Sequence, residues 1–366
     1  MKYSILFFLS FFSFSTLFAQ AGSRTIITGF PHLALNTNPR TGGMGEVGVV
    51  SSPYYHDTGL RQNPAVLGRT QGAYGGRISH FPWLTNLAIP GLNVSDLGGF
   101  VSVGKRLGVE YHGRVLRLGL NQYPAYRNPK DQHHGIRLGW GITPAWSIGM
   151  GLTYVHSQGT NLPEAIPLKK WMGEVGLDYQ RFIPSDLGDW YVNFGLAATN
   201  LGSKIAVGNN PNPSLFSPAT LQSGLMIGIY PLPQGKGQMA YEASVQFSKL
   251  LVPSDITIDR SASLGALVSF WDAPGGLAEE WQEVIAQWGF ETRKIWPSTV
   301  MLALRAGGFL EAVPKGNRRY FTSGVSVGWQ QLRLDGSFSV PLPGASAVLR
   351  SWRLGLAYEV NIFSKK

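Results

Sequence analysis

Polar and apolar residues alternate strictly along residues 352–363, next to the C-terminus. The even positions are apolar or aromatic, from Trp352 to Ile362, whereas the odd positions include Arg353 and Glu359. A period of two places these two sets on opposite faces of a β-strand, and a helix would mix them. One apolar face and one polar face suit a strand that lies between lipid and a polar lumen. The segment therefore predicts the last strand of a transmembrane β-barrel.

Segments with the same period recur along most of the chain, and we count fourteen of them. The connections between them alternate between short and long without a break. In outer-membrane barrels the short turns face the periplasm and the long loops face outside, so an even strand number predicts two periplasmic termini. The predicted strands lie near 71–80, 97–104, 107–119, 133–142, 146–156, 170–182, 190–202, 221–231, 239–250, 286–294, 299–310, 320–330, 332–341 and 352–363.

The composition agrees with an outer-membrane barrel. Only 14% of the 366 residues are charged, against about 25% in a soluble domain. There is no cysteine, which excludes disulfides, thiolate metal sites and cysteine nucleophiles. The net charge is +10, and on a membrane protein we expect this excess to meet lipid phosphate or an acidic partner rather than nucleic acid.

The first 21 residues have the pattern of a secretory signal peptide. An apolar run from Ile5 to Phe18 precedes Ala19-Gln20-Ala21, and cleavage after either alanine fits the pattern. The run is shorter than the ~20 residues that a membrane-spanning helix needs. We therefore divide the chain into a signal peptide at 1–21, an N-terminal plug segment at 22–70, the barrel at 71–363 and a tail at 364–366.

Two stretches lack the period of two. Residues 22–70 are rich in Gly, Pro and Asn, and they are long enough to form a plug inside the barrel. In residues 271–288, Leu277, Trp281 and Val284 follow helical spacing. This spacing predicts a surface helix on the longest outward loop, which either packs over the barrel mouth or docks another protein.

No arrangement of residues indicates catalysis or cofactor binding. The segment from Gly99 to Arg106 is close to a phosphate-binding loop, but arginine replaces the Ser or Thr that binds magnesium. The pair His133-His134 has no carboxylate beside it at metal-ligand spacing. We therefore expect a non-enzymatic protein without catalytic, metal or cofactor-binding residues.

The aperiodic stretches resemble the PorV (LptO) family, the outer-membrane barrels of the Bacteroidetes type IX secretion system. Each motif alone is weak, but seven of them occur in the order found in the family. They are 38–53 with Gly42-Gly43-Met44-Gly45, Asn63-Pro64-Ala65, Phe81-Pro82-Trp83-Leu84, 200–205, 249–253, Asp272-Ala273-Pro274-Gly275-Gly276 with Glu279-Glu280, and 315–322.

The resemblance implies a fourteen-stranded, FadL-like antiparallel barrel with an N-terminal plug. It also implies a function: the family accompanies the translocon barrel SprA (Sov), receives secreted cargo through the cargo's C-terminal sorting domain, and passes it to attachment-complex proteins. Outer-membrane lipid, including lipopolysaccharide, is a further expected partner. Two alternatives stay open, namely a FadL-like transporter of small hydrophobic compounds and a PorQ-like structural subunit of the attachment complex.

Motif positions also assign candidate residues to the plug and to the outer rim, with Trp281 as an aromatic anchor. The expected plug residues are Gly42, Gly43, Gly45, Asn63 and Pro64. The expected partner-binding residues are Asp272, Pro274, Leu277, Trp281, Val284, Lys315, Arg318 and Arg319.

Overall fold

The computed structural model describes residues 25–53, 62–70, 72–83, 91–119, 130–158, 168–205, 215–231, 238–254, 261–345 and 350–361. The predicted signal peptide and tail lie outside these residues. The strands are β1 Ala73–Pro82, β2 Leu92–Val103, β3 Leu107–Leu118, β4 Lys130–Gly141, β5 Trp146–Gln158, β6 Leu168–Ser185, β7 Gly188–Gly202, β8 Thr220–Pro231, β9 Gln238–Leu250, β10 Val284–Ile295, β11 Val300–Leu310, β12 Arg319–Trp329, β13 Leu332–Pro341 and β14 Ser351–Asn361.

These fourteen strands form one closed antiparallel barrel, which confirms the predicted fold. Each strand pairs with its neighbours in the chain, and β1 closes the barrel by pairing with β14, so that Arg77 lies opposite Ala357. The predicted strands all exist, with bounds that differ by a few residues. The largest difference is at β2, which begins at Leu92 rather than at residue 97.

The two faces of the wall follow the alternation of the sequence. On β14 the side chains of Trp352, Leu354 and Leu356 are exposed on the outside, whereas Arg353 is buried on the lumenal side. Similar apolar positions on the other strands form an outer band that faces lipid in proteins of this class. No helix in the described residues is long and apolar enough to cross a membrane.

Short and long connections lie at opposite ends of the barrel. The described N-terminal segment reaches the long-loop end, where the Gly29 N–H donates to the Phe216 carbonyl over 2.9 Å. In contrast, β14 ends at the short-turn end, because its Tyr358 and Ala357 pair with the start of β13 after a short turn. Both chain ends lie outside the described residues, so the predicted periplasmic termini stay a prediction.

The described helices belong to the plug and to the outer loops. They are α1 Pro39–Gly42, α2 Ala262–Val268 and α3 Leu277–Gln282, together with short 3₁₀ helices at Pro31–Ala34, Pro64–Arg69 and Val313–Lys315. The sequence did not predict α2, whose first turn is capped by the Ser261 side chain.

The helix predicted over residues 271–288 is wrong in its extent. The structure ends α3 at Gln282 and starts β10 at Val284, which pairs with Lys249 of β9. Val284 and Trp288 also fit a period of two, with Ala286 between them, so the same residues satisfy both patterns. Pairing with β9 and β11 provides hydrogen bonds along the whole segment and decides in favour of the strand.

The described part of the plug segment lies in the lumen, with a small apolar core of its own. Met44, Val47, Val49 and Val50 pack against inward-facing wall residues, among them Tyr191. The walls contribute glycines at the points of closest approach, so the plug backbone lies directly on the strands.

Candidate functional site: a locked plug and an outer knob

The plug glycines predicted from the sequence lie against the wall of the barrel. A Cβ atom on Gly43 would lie 2.9 Å from the Cα atom of Gly324, and one on Gly42 would lie 2.8 Å from the Arg353 side chain. Gly45 has a φ of +65°, and a Cβ atom there would overlap the carbonyl oxygens of Trp288 and Gly308. These three positions therefore need glycine for close approach, and Gly45 needs it for its backbone conformation as well.

Asn63 joins two parts of the plug to the wall. Its side-chain oxygen caps the 3₁₀ helix that begins at Pro64, by accepting from the Ala65 N–H at 3.0 Å. Its side-chain N–H₂ group donates to the Val49 and Leu177 carbonyls, both at 3.0 Å. Asn63 is fully buried, so it satisfies three backbone groups that would otherwise be buried without partners.

Arg40 is the central contact of the plug, and sequence reasoning missed it. It follows Pro39 in α1, is 1% exposed, and donates to Glu242 at 2.9 Å and to Glu291 at 3.1 Å. The two carboxylates belong to neighbouring strands, β9 and β10. The sequence contains one signal for this site, namely charged residues at the lumenal positions of the wall strands. Such charges need partners of opposite sign inside the barrel.

The acceptors of Arg40 are shared with arginines of the wall. Glu242 accepts from Arg293 at 2.7 Å, and Glu291 accepts from Arg305 at 2.5 Å. The pairs form a continuous buried network around the plug. Removing one member of such a network costs roughly 3–5 kcal/mol, because it leaves a buried charge with fewer partners.

Further ion pairs connect the plug and the wall at other levels of the lumen. The Arg353–Glu46 and Arg69–Asp178 pairs join the plug to the wall, while the others join wall residues on the same strand, on neighbouring strands or on strands separated by one other strand. The wall pairs are Arg77–Asp335 at 2.8 Å, Arg333–Asp335 at 3.0 Å, Arg114–Asp96 at 2.8 Å, Arg137–Glu110 at 3.0 Å and Arg137–Glu174 at 2.6 Å; Arg353–Glu46 spans 2.6 Å.

A pair of histidines fixes the plug at the long-loop end. His32 and His133 stack with ring centroids 5.1 Å apart, and their Nε2 atoms are 3.1 Å apart. Asp131 lies 3.3 Å from His32 Nε2. Burial, followed by the positive charge of Arg114, lowers the pKa of His32 from 6.5 to about 3. No group of three or more metal-ligating side chains occurs among the described residues.

Two cavities lie on opposite sides of the plug. The outer cavity is about 160 Å³ and is lined in part by Glu46, Arg137 and Gln222, and the inner cavity is about 490 Å³. The plug backbone between them contacts the wall through its glycines, as described above. The two cavities share no lining residue among the described residues.

The outer knob, defined as residues 261–283 between β9 and β10, is attached by buried ion pairs. Lys315 donates to Glu279 at 2.8 Å and to Glu283 at 2.9 Å, and Lys249 donates to Glu280 at 3.0 Å and to Glu283. Burial opposes the charged form of Lys315, but its bonds to Glu279 and Glu283 raise its pKa overall.

The position of Lys249 places α3 against the outside of the wall. Ser248 bonds to Gln287 inside the lumen, so the alternation of β9 turns Lys249 outward. The glutamates of α3 cover it, and the other face of α3 presents Leu277 (76% exposed) and Trp281 (75% exposed) to the surroundings. The knob therefore combines charged contacts to the barrel with an apolar outer face, to which Trp271 also contributes at 66% exposed.

The structure brings together only part of the predicted rim set. Asp272 accepts from the Ser254 N–H at 3.0 Å and Pro274 lies exposed in the turn before α3, so both belong to the knob with Leu277, Trp281 and the attaching Lys315. Val284 instead begins β10. Arg318 pairs with Glu311 and lines the outer cavity, and Arg319 begins β12.

This geometry defines the class of the protein: it is an outer-membrane-type β-barrel whose lumen contains a plug. No family model and no curated protein sequence matches the chain. Among solved structures, it is similar to a FadL homologue from Pseudomonas aeruginosa at 10% identity and a TM-score of 0.47, with 93% of this chain and 100% of that chain covered.

Two further solved structures have a similar architecture. The toluene transporter TodX from Pseudomonas putida shares 9% identity at a TM-score of 0.41, with 93% of this chain and 100% of that chain covered. The CymD monoaromatic hydrocarbon channel shares 12% identity at a TM-score of 0.43, with 89% and 97% covered. At these values the likeness concerns the barrel architecture and gives no argument about activity.

Proposed function

We propose that this protein is a non-enzymatic subunit of a type IX protein secretion system. In this proposal it binds the translocon barrel and the C-terminal domains of secreted cargo, and it transfers the cargo to the attachment complex on the cell surface. The observation that supports it most is the combination of a locked lumen with an exposed apolar knob. Such a barrel acts through its outer surface rather than by conduction.

The locked lumen argues against passage through the barrel. A transported compound would have to displace Arg40 from Glu242 and Glu291, which removes one positive partner from each of these two buried carboxylates. Every neighbouring pair of described strands is hydrogen-bonded, including β1 with β14, and the pairing of β6 with β7 shifts its register between Gly173 and Val175. Conduction would therefore require large changes in both the plug and the wall.

The knob has the chemistry of a protein-binding surface. Its carboxylates point inward to Lys249 and Lys315, so Leu277, Trp271 and Trp281 dominate the outer face. Aromatic residues that are exposed in the free protein and surrounded by polar groups commonly become binding anchors. The remaining rim residues Arg318 and Arg319 would serve as secondary contacts at the barrel mouth.

The test is co-purification of the tagged full-length protein from mildly solubilised outer membranes, followed by mass spectrometry. The proposal predicts a very large barrel protein together with exported proteins that share a C-terminal domain. The variant Leu277→Asp/Trp281→Asp should lose these partners while the barrel still assembles. Leu187→Asp is the matched control, because Leu187 is also an exposed apolar residue (72%) but lies in a short turn. Unchanged recovery with the double variant would contradict the proposed site.

Transport of small hydrophobic compounds is the second candidate function. Two of the similar barrels described above carry names that support this candidate, because one is called a monoaromatic hydrocarbon channel and the other a toluene transporter. It predicts that the purified protein carries bound fatty acids or other small lipids and no protein partner, and that such ligands move the plug. A PorQ-like role in the attachment complex predicts recovery of that complex without the translocon barrel.

A further inference from the structure

The inner cavity at the short-turn end has a different character from the rest of the lumen. Its volume is about 490 Å³, which is within the size range of small-molecule sites. The plug forms its upper wall with Ser51, Ser52 and the 3₁₀ helix that ends at Arg69. Short turns at 104–106 and 142–145 form its rim. Because short turns face the periplasm, the cavity opens toward that compartment.

The lining of this cavity is positively charged. Arg69, Lys105 and Arg106 line it, and no carboxylate does so among the described residues. Arg69 is already neutralised, because it pairs with Asp178 and donates to the Ala145 carbonyl at 2.7 Å. The charges of Lys105 and Arg106 have no such carboxylate within the described lining and dominate the rim.

The rim is held in place by its backbone. Gly104 turns the chain between β2 and β3 with a φ of +65°. The Arg106 carbonyl accepts from the Gly141 N–H at 2.8 Å, which ties this turn to the end of β4. Its guanidinium reaches toward the Ile142 carbonyl at 3.5 Å, the upper limit for a hydrogen bond. The turn that carries Lys105 and Arg106 is therefore held at the mouth of the cavity, and the contact to Ile142 is the one side-chain hydrogen bond of Arg106 among the described residues.

Two buried side chains of the lining have unused hydrogen-bonding groups. Ser147 is 1% exposed and Gln180 is 7% exposed. Neither the Ser147 hydroxyl nor the Gln180 side-chain nitrogen has a partner in the described part of the protein. Buried donors of this kind normally have a partner. A ligand group with only acceptor atoms could accept a hydrogen bond from the Ser147 hydroxyl, once this hydroxyl rotates toward it. The same group could also accept from the two cations.

We propose that this cavity binds a phosphate group presented from the periplasmic side. A phosphate monoester carries about −1.5 to −2 charges at neutral pH and has only acceptor oxygens, which matches two cations and added donors. Arginine recognises such oxygens in pairs. The phosphate belongs either to a soluble periplasmic compound or to a phospholipid head group of the inner leaflet. This inference is independent of the proposed secretion function.

The test uses the full-length protein in a neutral detergent. Titration with inorganic phosphate and with glycerol phosphate, at constant ionic strength, is followed by calorimetry and by the unfolding temperature. Lys105→Gln/Arg106→Gln is the test variant. Lys169→Gln/Lys170→Gln is the matched control, because it removes the same charge from neighbouring residues at the start of β6, at the opposite end of the barrel.

A second arm identifies the source of the phosphate. Native mass spectrometry after extraction from vesicles of phosphatidylethanolamine and phosphatidylglycerol counts the phospholipids that stay bound. A soluble source predicts binding of the free phosphates that weakens about tenfold or more in the test variant only. A lipid source predicts loss of a retained phospholipid in that variant only. The proposal is overturned if neither arm shows binding, or if both variants respond equally.

Discussion

Arg40 of the plug lies 2.9 Å from Glu242 of the wall, and both side chains are almost fully buried. The two residues are 202 positions apart in the chain. This contact joins the plug segment to the ninth strand inside the lumen. One plug arginine is therefore held by carboxylates of two wall strands, in addition to the other ion pairs between plug and wall.

Replacing Arg40 by methionine should loosen the plug. The change leaves Glu242 and Glu291 with fewer positive partners and should cost roughly 3–5 kcal/mol. We expect a lower unfolding temperature and openings of measurable conductance in planar bilayers. Arg181→Met is the control, because Arg181 is exposed on β6. A sealed and equally stable Arg40→Met barrel would show that this network does not hold the plug.

Gly45 and Gly104 offer a matched pair for testing the close approach of plug and wall. Both have a φ of +65°, but a Cβ atom on Gly45 would overlap the wall, whereas one on Gly104 would meet nothing within 4 Å. Gly104→Ala should cost about 1 kcal/mol from backbone strain. Gly45→Ala should lower stability much further, as measured by thermal unfolding in detergent. Equal losses would mean that the plug does not rest on Trp288 and Gly308.

The pairing of His32 with His133 predicts a pH-dependent anchor for the plug. The pKa of His32 is about 3 in the folded protein and near 6.5 when the plug is released. The released state therefore binds more protons, so the anchor is fully present above pH 6.5 and weakens progressively as the pH falls toward 3.

Protonation of His32 would also place a positive charge beside Arg114 and His133, against the carboxylate of Asp131 at 3.3 Å. Protease cleavage of the plug, compared at about pH 7.5 and about pH 5, should increase on acidification in the wild type. His32→Gln should flatten this difference, while His80→Gln, an exposed histidine of β1, should keep it. The same pH response in all three proteins would contradict the role of His32.

Lys315 should control the attachment of the outer knob. Lys315→Met removes one positively charged partner from each of Glu279 and Glu283, both of which are buried. We expect faster proteolysis within residues 261–283, with little change in the barrel itself. Lys169→Met, an exposed lysine at the same end of the barrel, should leave the cleavage rate unchanged.

The barrel could be predicted because the pattern that specifies each strand lies within the residues of that strand. Alternation of side chains along each strand determines which residues face lipid, and the lengths of the connections determine the order of turns and loops. Leu92 to Asp96 were missed because Leu92 and Val94 are buried on the lumenal side, whereas Leu97 and most apolar residues after it in β2 are exposed on the outside, so the apolar positions change phase within β2. Val284 and Trp288 were misplaced because helical and strand spacings coincide over these few residues.

The ionic contacts of the lumen could not be predicted from spacing. Arg40 pairs with Glu242 and Glu291 only because the plug places it at one height inside the closed barrel. The glycines of the plug motif indicated that the plug backbone approaches another part of the chain closely. They did not indicate which wall residues they contact. The attachment of α3 by Lys249 likewise depends on the pairing of β9 with β10, which the predicted helix had obscured.

We propose that this barrel acts through the outer face of its knob, and photocrosslinking from position 281 in intact cells is the decisive experiment, with position 187 in a short turn as the control. We expect adducts from position 281 with a large outer-membrane barrel or with exported proteins that share a C-terminal domain, and none of these from position 187. Adducts with lipid alone, or the same products from both positions, would contradict it.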